Sequence, residues 1–221
     1  MISDNLIAIQ HQIKSSLKNS GRKSDSCTLI GVSKTKPLSQ IEEAFNLGLR
    51  DFGENYVEEF FSKHSEYNPE ELNYHFIGRL PTKKVRKVVG NASLIHSVSS
   101  LKLARKIEFV AKEEGITQKI LIQINQGGES SKSGFGNNVS DYFEDLLALT
   151  NIKILGLMSI PPFSEPAKPF FILLRKLRDK LESQYNLKLP YLSMGMSGDF
   201  QEAILEGSTH VRIGTSIFGS R

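Results

Sequence analysis

Two rhythms of apolar and polar positions alternate along the chain. The first segment spaces Ile2, Leu6, Ile9, Ile13 and Leu17 three or four residues apart with polar residues between them, which predicts an amphipathic helix over residues 2–19. A polar loop follows from Gly21 to Ser26. Beyond it, short apolar runs rich in β-branched residues predict strands at Thr28–Lys34, Asp51–Asn55, Tyr74–Gly78, Leu94–Val98, Lys119–Asn125, Ile152–Ile160, Tyr191–Ser197 and His210–Phe218. Segments of helical period predict helices at Ser39–Leu47, Val57–His64, Leu101–Glu114, Asp141–Leu149, Phe170–Tyr185 and Phe200–Glu206. In the helix from Leu101, residues Leu103, Ala104, Ile107, Val110 and Ala111 fall on one side and Lys102, Lys106, Lys112 and Glu113 on the other.

Strands that alternate with helices build βαβ units and a parallel sheet, so the fold class is α/β. Roughly eight strands match the closed (β/α)8 TIM barrel, and an open doubly wound sheet satisfies the same periodicity. Closure is favoured because no dinucleotide-binding fingerprint appears. Residues 1–221 read as one domain, with 2–19 as an extra N-terminal helix and no linker, repeat or low-complexity tract. Only Gly219, Ser220 and Arg221 follow the last predicted strand, so the 2–19 helix is expected to pack near the gap left there. Pro161, Pro162 and the Pro166–Pro169 cluster read as one βα loop.

Composition narrows the class. With 39% hydrophobic and 24% charged residues among 221, the chain can bury a sizeable core, which excludes disordered and fibrous classes. The excess of 28 basic over 24 acidic residues is small and dispersed. Its densest stretch, Lys83, Lys84, Arg86 and Lys87, alternates with Val85, Val88 and Val89 as a solvated helix face does, so no nucleic-acid partner is expected. Cys27 is the sole cysteine, which rules out an intrachain disulfide and points to a reducing, cytoplasmic setting. The first segment lacks the uninterrupted apolar run of a signal peptide, and no window of about 18 apolar residues predicts a membrane span.

In such barrels the reacting groups sit at the C-terminal ends of strands, which directs weight to Lys34, Asn55, Ser197 and Gly214-Thr215. A lysine at the tip of an apolar strand can project into the barrel mouth, where burial and neighbouring positive charge lower its pKa and free its lone pair for an aldehyde; a surface lysine fits the same residue. Ser197 before Gly198, with Gly214-Thr215, places a hydroxyl and backbone N–H groups beside the last two strands, where barrels commonly bind phosphate. Gly195, Gly198 and Gly214 also suit tight turns or close packing alone. Arg212 shares a strand side with Gly214 and could therefore face the mouth. The five histidines are scattered without metal-ligand spacing, so no metal site is expected, and His75 reads as a packed or hydrogen-bonded strand residue.

Seven motifs in order carry a resemblance over nearly the whole chain. They are Gly31-Val32-Ser33-Lys34-Thr35-Lys36-Pro37, Phe52-Gly53-Glu54-Asn55-Tyr56, His75-Phe76-Ile77-Gly78, Ser131-Lys132-Ser133-Gly134, Gly156-Leu157-Met158, Met194-Gly195-Met196-Ser197-Gly198-Asp199, and Val211-Arg212-Ile213-Gly214-Thr215-Ser216-Ile217-Phe218-Gly219. In them the chain resembles the pyridoxal phosphate (PLP) homeostasis proteins, which are similar to the N-terminal barrel of alanine racemases, the PLP fold type III. The resemblance implies a PLP-binding protein of intracellular vitamin B6 homeostasis that holds the cofactor as an internal aldimine on Lys34. It further implies that Ser197, Gly214 and Thr215 hold the cofactor phosphate, that Arg212 faces the pyridine nitrogen, and that Asn55, Ile77 and Met196 line the ring pocket. Core packing accounts for Ile77 and Met196 as readily. Lys132 matches a family lysine that approaches or receives the cofactor; a solvated loop lysine fits it equally.

A guanidinium keeps its proton, so Arg212 beside the ring nitrogen makes the cofactor a poorer electron sink than a carboxylate partner would. The chain also lacks room for the racemases' second domain, which supplies a tyrosine base across the dimer. The expectation is a monomeric, non-catalytic carrier of PLP whose partners are PLP and PLP-dependent apoenzymes, with no membrane association. The alternatives are a weak racemase-like PLP enzyme and a cofactor-free barrel using a Schiff-base lysine. Arg79, Pro81 and Lys83 depart from the family's Gly-x-Leu-Gln-x-Asn-Lys continuation, in which only Leu80 and Lys84 keep the pattern. Relatives also continue a few residues past the position of Arg221, so part of a terminal cap is expected to be missing.

Overall fold

The computed structural model describes residues 1–127, 133–136, 138–162 and 164–220. Among them, strands β1 (Thr28–Val32), β2 (Asp51–Glu54), β3 (Asn73–Phe76), β4 (Leu94–Val98), β5 (Gln118–Ile124), β6 (Ile152–Ser159), β7 (Tyr191–Ser193) and β8 (His210–Ile213) pair in parallel in chain order. The sheet closes where β8 returns to β1, in register from Thr28 opposite His210 to Gly31 opposite Ile213. The structure therefore selects the closed (β/α)8 barrel over the open sheet.

The connections are α2 (Leu38–Asn46), α3 (Val57–Glu66), a 3₁₀ turn at Thr82–Lys87, α4 (Leu101–Glu113), a 3₁₀ turn at Val139–Tyr142 leading into α5 (Phe143–Leu147), α6 (Lys168–Tyr185) and α7 (Phe200–Leu205). Ahead of the barrel, α1 (Ile2–Asn19) buries Ile2, Leu6, Ile9, Ile13 and Leu17, the stripe its spacing predicts. It packs on α7 and on α8 (Thr215–Phe218), and the Asn5 side-chain amide donates to the Ile217 carbonyl at 3.0 Å.

Period-two alternation divides the strand side chains into two cores. Outward residues such as Phe52, Tyr74, Phe76, Ile120, Ile122 and Val211 join the helices in one large apolar shell. Inside the barrel the apolar filling includes a small cluster of Leu94, Leu121 and Met158 with Leu155 and Tyr191 against it. Polar residues share that interior: His75, His96, Ser193, His210 and Arg212 are all buried.

Several boundaries differ from expectation for identifiable reasons. The seventh predicted strand stops at Ser193, because the chain turns through Gly195 at φ +94° before α7. The eighth stops at Ile213 rather than Phe218; Ile217 and Phe218 mimic strand alternation but are buried by a helical turn, so a short helix does follow the last strand. The helix expected at Asp141–Leu149 divides into a 3₁₀ turn and α5. Pro169 belongs to the first turn of α6 rather than to the preceding loop, since a proline there gives up only an N–H with no intrahelical partner. The basic stretch lies on the Thr82–Lys87 turn, where Val85 is buried, Lys84 and Lys87 pair with Glu58, and Arg86 pairs with Glu113. No described helix is long and apolar enough to cross a membrane.

Candidate functional site

Along β1, Ile30 and Val32 turn inward while Gly31 packs outward under Leu49 and Phe218. Continuing the alternation past the strand end puts Ser33 outward and Lys34 in the barrel mouth, where it lines a cavity of about 760 Å³. The Ser33 hydroxyl donates to Glu54 Oε1 at 2.7 Å. Lys63, reaching in from α3, donates from Nζ to the Ser33 carbonyl (2.8 Å), to Glu54 Oε1 (2.8 Å) and to Glu59 Oε1 (2.7 Å). Glu59 Oε1 in turn accepts the Thr35 N–H at 2.6 Å. Thr35 sits at φ +63°, a left-handed conformation that a β-branched residue adopts only when its surroundings impose it. Both neighbours of Lys34 are thus clamped from outside the barrel. Burial pushes the Glu54 carboxyl above its usual range, against the pull of the Lys63 charge.

The cavity gathers all eight residues singled out from the sequence: Lys34, Asn55, Ile77, Met196, Ser197, Arg212, Gly214 and Thr215. Asn55 follows β2, and Ile77 follows β3 one residue before Gly78. A Cβ on Gly78 would lie 1.9 Å from the Asn55 carbonyl oxygen, so only glycine lets these two loops close together. Ser197 lies not at a strand end but in the turn before α7, where Asp199 Oδ1 accepts the Met196 N–H at 2.6 Å. Gly214 caps α8, and Thr215 is its first residue; the N–H groups of a first helical turn have no intrahelical partner and point at whatever lies beyond the end. A Cβ on Gly214 would come within 3.1 Å of the Val32 carbonyl, which holds this turn against the lysine-bearing strand.

Arg212 forms the floor. Its Nη1 donates to Ser193 Oγ at 2.6 Å and its Nη2 to the Ser159 carbonyl at 3.0 Å, both neutral acceptors. Burial lowers its pKa to about 10, with the field of Asp199 opposing the shift. Lys36 also borders the cavity, but its Nζ is engaged by the carbonyls of Phe218 and Ser220, each at 3.0 Å. Lys132 lies outside the described residues.

Sequence reasoning missed further lining residues, among them Val32, Ile160, Glu165, Asp199 and Glu202. Val32 is readable from its spacing of two before Lys34; Ile160, Glu165 and Asp199 come from loops whose course no periodicity encodes, and Glu202 from the first turn of α7. It also missed a gathering. His75, His96 and His210 are not scattered but meet inside the barrel, with ring centroids 5.2–6.3 Å apart, because three inward strand positions share one layer. Among the described residues no group of three or more His, Cys, Asp or Glu is arranged to hold a metal ion. His75 is hydrogen-bonded, as its default reading had it.

The residues fit a flat, acceptor-bearing ring with an anionic substituent. Apolar walls are present at Val32, Ile77, Ile160 and Met196, and Asn55 Oδ1 is buried with no hydrogen-bond partner among the described residues. A buried guanidinium bonded, among the described residues, to neutral acceptors lies at one side of the cavity and a lysine amine borders it too.

A closed parallel barrel with a lysine after its first strand and a buried arginine on its last defines a recognised class: residues 5–221 match the family model described as "Alanine racemase, N-terminal domain". The chain belongs, within that class, to the pyridoxal phosphate homeostasis protein family. It is 45% identical over 222 residues to the pyridoxal phosphate homeostasis protein of Aquifex aeolicus, covering 99% of this chain and 97% of the relative. Among solved structures it is similar to PipY of Synechococcus elongatus without PLP, with TM-score 0.89 and 34% identity over 99% of this chain and 100% of that one. The same protein with PLP bound superposes with TM-score 0.87 and 33% identity over 99% and 100% of the two chains. An alanine racemase of Clostridium difficile shares the fold, with TM-score 0.76 and 18% identity over 99% of this chain and 57% of the racemase.

Proposed function

We propose that this chain binds pyridoxal 5′-phosphate covalently through the Lys34 amine and serves intracellular homeostasis of that cofactor with little or no turnover of its own. The observation that carries the reading is the convergence of Lys34, Asn55, Arg212, Ser197, Gly214 and Thr215, drawn from distant parts of the chain, on one cavity. A relative with the same barrel has been solved with PLP bound, and close relatives are named for PLP homeostasis.

On this reading the Ser197 hydroxyl, the Gly214 and Thr215 amides and the positive end of the α8 turn hold the phosphate, while Ile77 and Met196 confine the ring and Asn55 hydrogen-bonds to it. Arg212 donates to the ring nitrogen and, as a permanent cation, keeps that nitrogen unprotonated. The bound cofactor supplies an aldehyde carbon electrophilic towards primary amines, and with an unprotonated ring it is a weak carbanion sink, which favours carriage over catalysis. The chain then works as a single-domain cytoplasmic monomer that passes the cofactor to PLP-dependent apoenzymes.

Mass spectrometry of the borohydride-reduced, PLP-loaded protein tests the site: the reduced adduct is expected on the peptide bearing Lys34, and an adduct chiefly on Lys36 or Lys132 reassigns it. Efficient, saturable racemisation of an amino acid, lost in Lys34→Ala, would defeat the carrier reading in favour of a racemase-like enzyme.

A further inference from the structure

An unbroken row of polar side chains runs through the barrel from the cavity to the opposite end of the sheet. It begins at Arg212 on β8, whose Nη1 donates to Ser193 Oγ on β7 at 2.6 Å. Ser193 Oγ lies 2.8 Å from His96 Nδ1 on β4. His96 Nε2 lies 3.0 Å from His75 Nδ1 on β3, and His75 Nε2 lies 2.9 Å from Asp51 Oδ1, the first residue of β2. Ser193 and His96 are fully enclosed, and His75 and Arg212 nearly so.

Both ends of this row impose the same direction. An arginine can only donate and a carboxylate can only accept. Asp51 therefore requires a proton on His75 Nε2, which leaves His75 Nδ1, in a neutral ring, to accept from His96 Nε2–H. His96 Nδ1 must then accept from the Ser193 hydroxyl, whose oxygen is free to accept from Arg212. Burial above all, with the charge of Arg212 nearby, holds His96 well below its ordinary range, so its ring is neutral. Further cations in the same low-dielectric core would repel the guanidinium.

We propose that Ser193, His96, His75 and Asp51 are positioning residues for Arg212: a one-way hydrogen-bond chain that fixes the plane of its guanidinium and ties its charge to a carboxylate at the far end of the barrel. Arg212 has no carboxylate in direct contact among the described residues. Asp199, whose field reaches it from the cavity side, is itself held by the Met196 N–H. With one donor anchored on Ser193 Oγ and one on the Ser159 carbonyl, the guanidinium meets the cavity pre-oriented, and its reorientation does not have to be arrested when a ligand arrives. The consequence for the cofactor rests on the reading that Arg212 meets the ring nitrogen of PLP; the chain itself does not.

Two measurements keep these apart. Long-range ¹H–¹⁵N correlation spectra of the cofactor-free protein should show both His75 and His96 as Nε2–H tautomers, and an Nδ1–H tautomer at either overturns the one-way chain whatever the protein binds. In PLP-loaded protein, Ser193→Ala should release the cofactor about tenfold faster than wild type and shift its visible absorption band, as expected for one lost hydrogen bond to a charged donor. Asp51→Asn keeps an acceptor but removes the charge, so it should shift the band in the same direction by less; it also decides the matter if Ser193→Ala does not fold. Wild-type release rates and spectra in the folded variants overturn the positioning role. If wild type takes up no PLP while the tautomers are as stated, the functional reading fails and the chain stands.

Discussion

The Lys63 ammonium lies 2.8 Å from the carbonyl oxygen of Ser33, the residue immediately before Lys34. A charge on an outer helix thus controls the backbone that aims an inner lysine. The same Nζ is shared between Glu54 and Glu59, and Glu54 is wholly buried with its second oxygen, Oε2, lacking a hydrogen-bond partner among the described residues. Removing Lys63 leaves that carboxylate uncompensated, a situation that costs about 3–5 kcal/mol where buried pairs have been broken. Lys63→Met is expected to lower the free energy of unfolding by an amount in that range, read as a lower denaturant midpoint at unchanged slope. A midpoint equal to wild type would show that the ion cluster is dispensable.

Close approach of the loops after β2 and β3 makes a second prediction. The 1.9 Å separation between a Gly78 Cβ and the Asn55 carbonyl cannot be relieved by a flexible side chain, because the obstacle is backbone. Gly78→Ala should destabilise the protein by about 2 kcal/mol or more and disturb Asn55 at the cavity wall. Gly198→Ala, where nothing lies within 4 Å of the added carbon, should leave thermal stability within about 0.5 kcal/mol of wild type. Equal effects of the two on the unfolding midpoint would contradict the geometry.

The buried imidazoles set a pH dependence with a definite sign. His210 is lowered to about 3 from an ordinary 6.5, chiefly by burial, and burial likewise holds His96 well down. Below pH 6.5 the unfolded chain binds protons at these positions while the folded chain does not, so stability is fully present above 6.5 and falls as the pH drops toward 3. Each site contributes a slope of about 1.4 kcal/mol per pH unit inside that window. Urea titrations across the acid range should show His210→Asn losing one site's share of the slope; an unaltered slope would be inconsistent with a neutral buried His210.

Cys27 is half-buried, and burial pushes its thiol up to about 12 against the opposing charge of Arg22. The thiolate fraction at neutral pH is then lower by about three orders of magnitude than for an exposed thiol, and the thiolate is the reactive form. Alkylation of native protein is expected to be at least about a hundredfold slower than in denaturant. Comparable rates in the two conditions would place Cys27 in a more open environment than the structure gives it.

Much of the barrel was legible because its elements obey short periods. Leu94–Val98 and the Ile2–Leu17 stripe stand in the structure as the pattern predicts, since a short run that includes Ile95 and Val98 suits a strand and an apolar spacing of three to four suits a helix. Errors fell at chain ends and turns. Ile217 and Phe218 look like strand residues, but burial against α1 is satisfied equally by a helical turn, and only the packing decides. The apolar run leading to Ser197 predicts a strand there, whereas Gly195 and the Asp199 side chain bend the chain two residues earlier.

Taken by itself, the sequence determined which residues alternate inward and outward, that strands and helices alternate, and that Lys34, Arg212 and the Gly214-Thr215 pair stand at strand ends; these are local properties, set by backbone period and steric preference. Only the tertiary structure decided that the sheet closes, that Lys63 and Glu59 grip the flanks of Lys34, and that Asp51, His75, His96 and Ser193 line up behind Arg212. Those relationships join distant residues through the closure of β8 on β1, as when Lys36 reaches the Phe218 carbonyl 182 positions away. No local period encodes distances across a barrel, because they depend on the stagger at which distant strands come to pair.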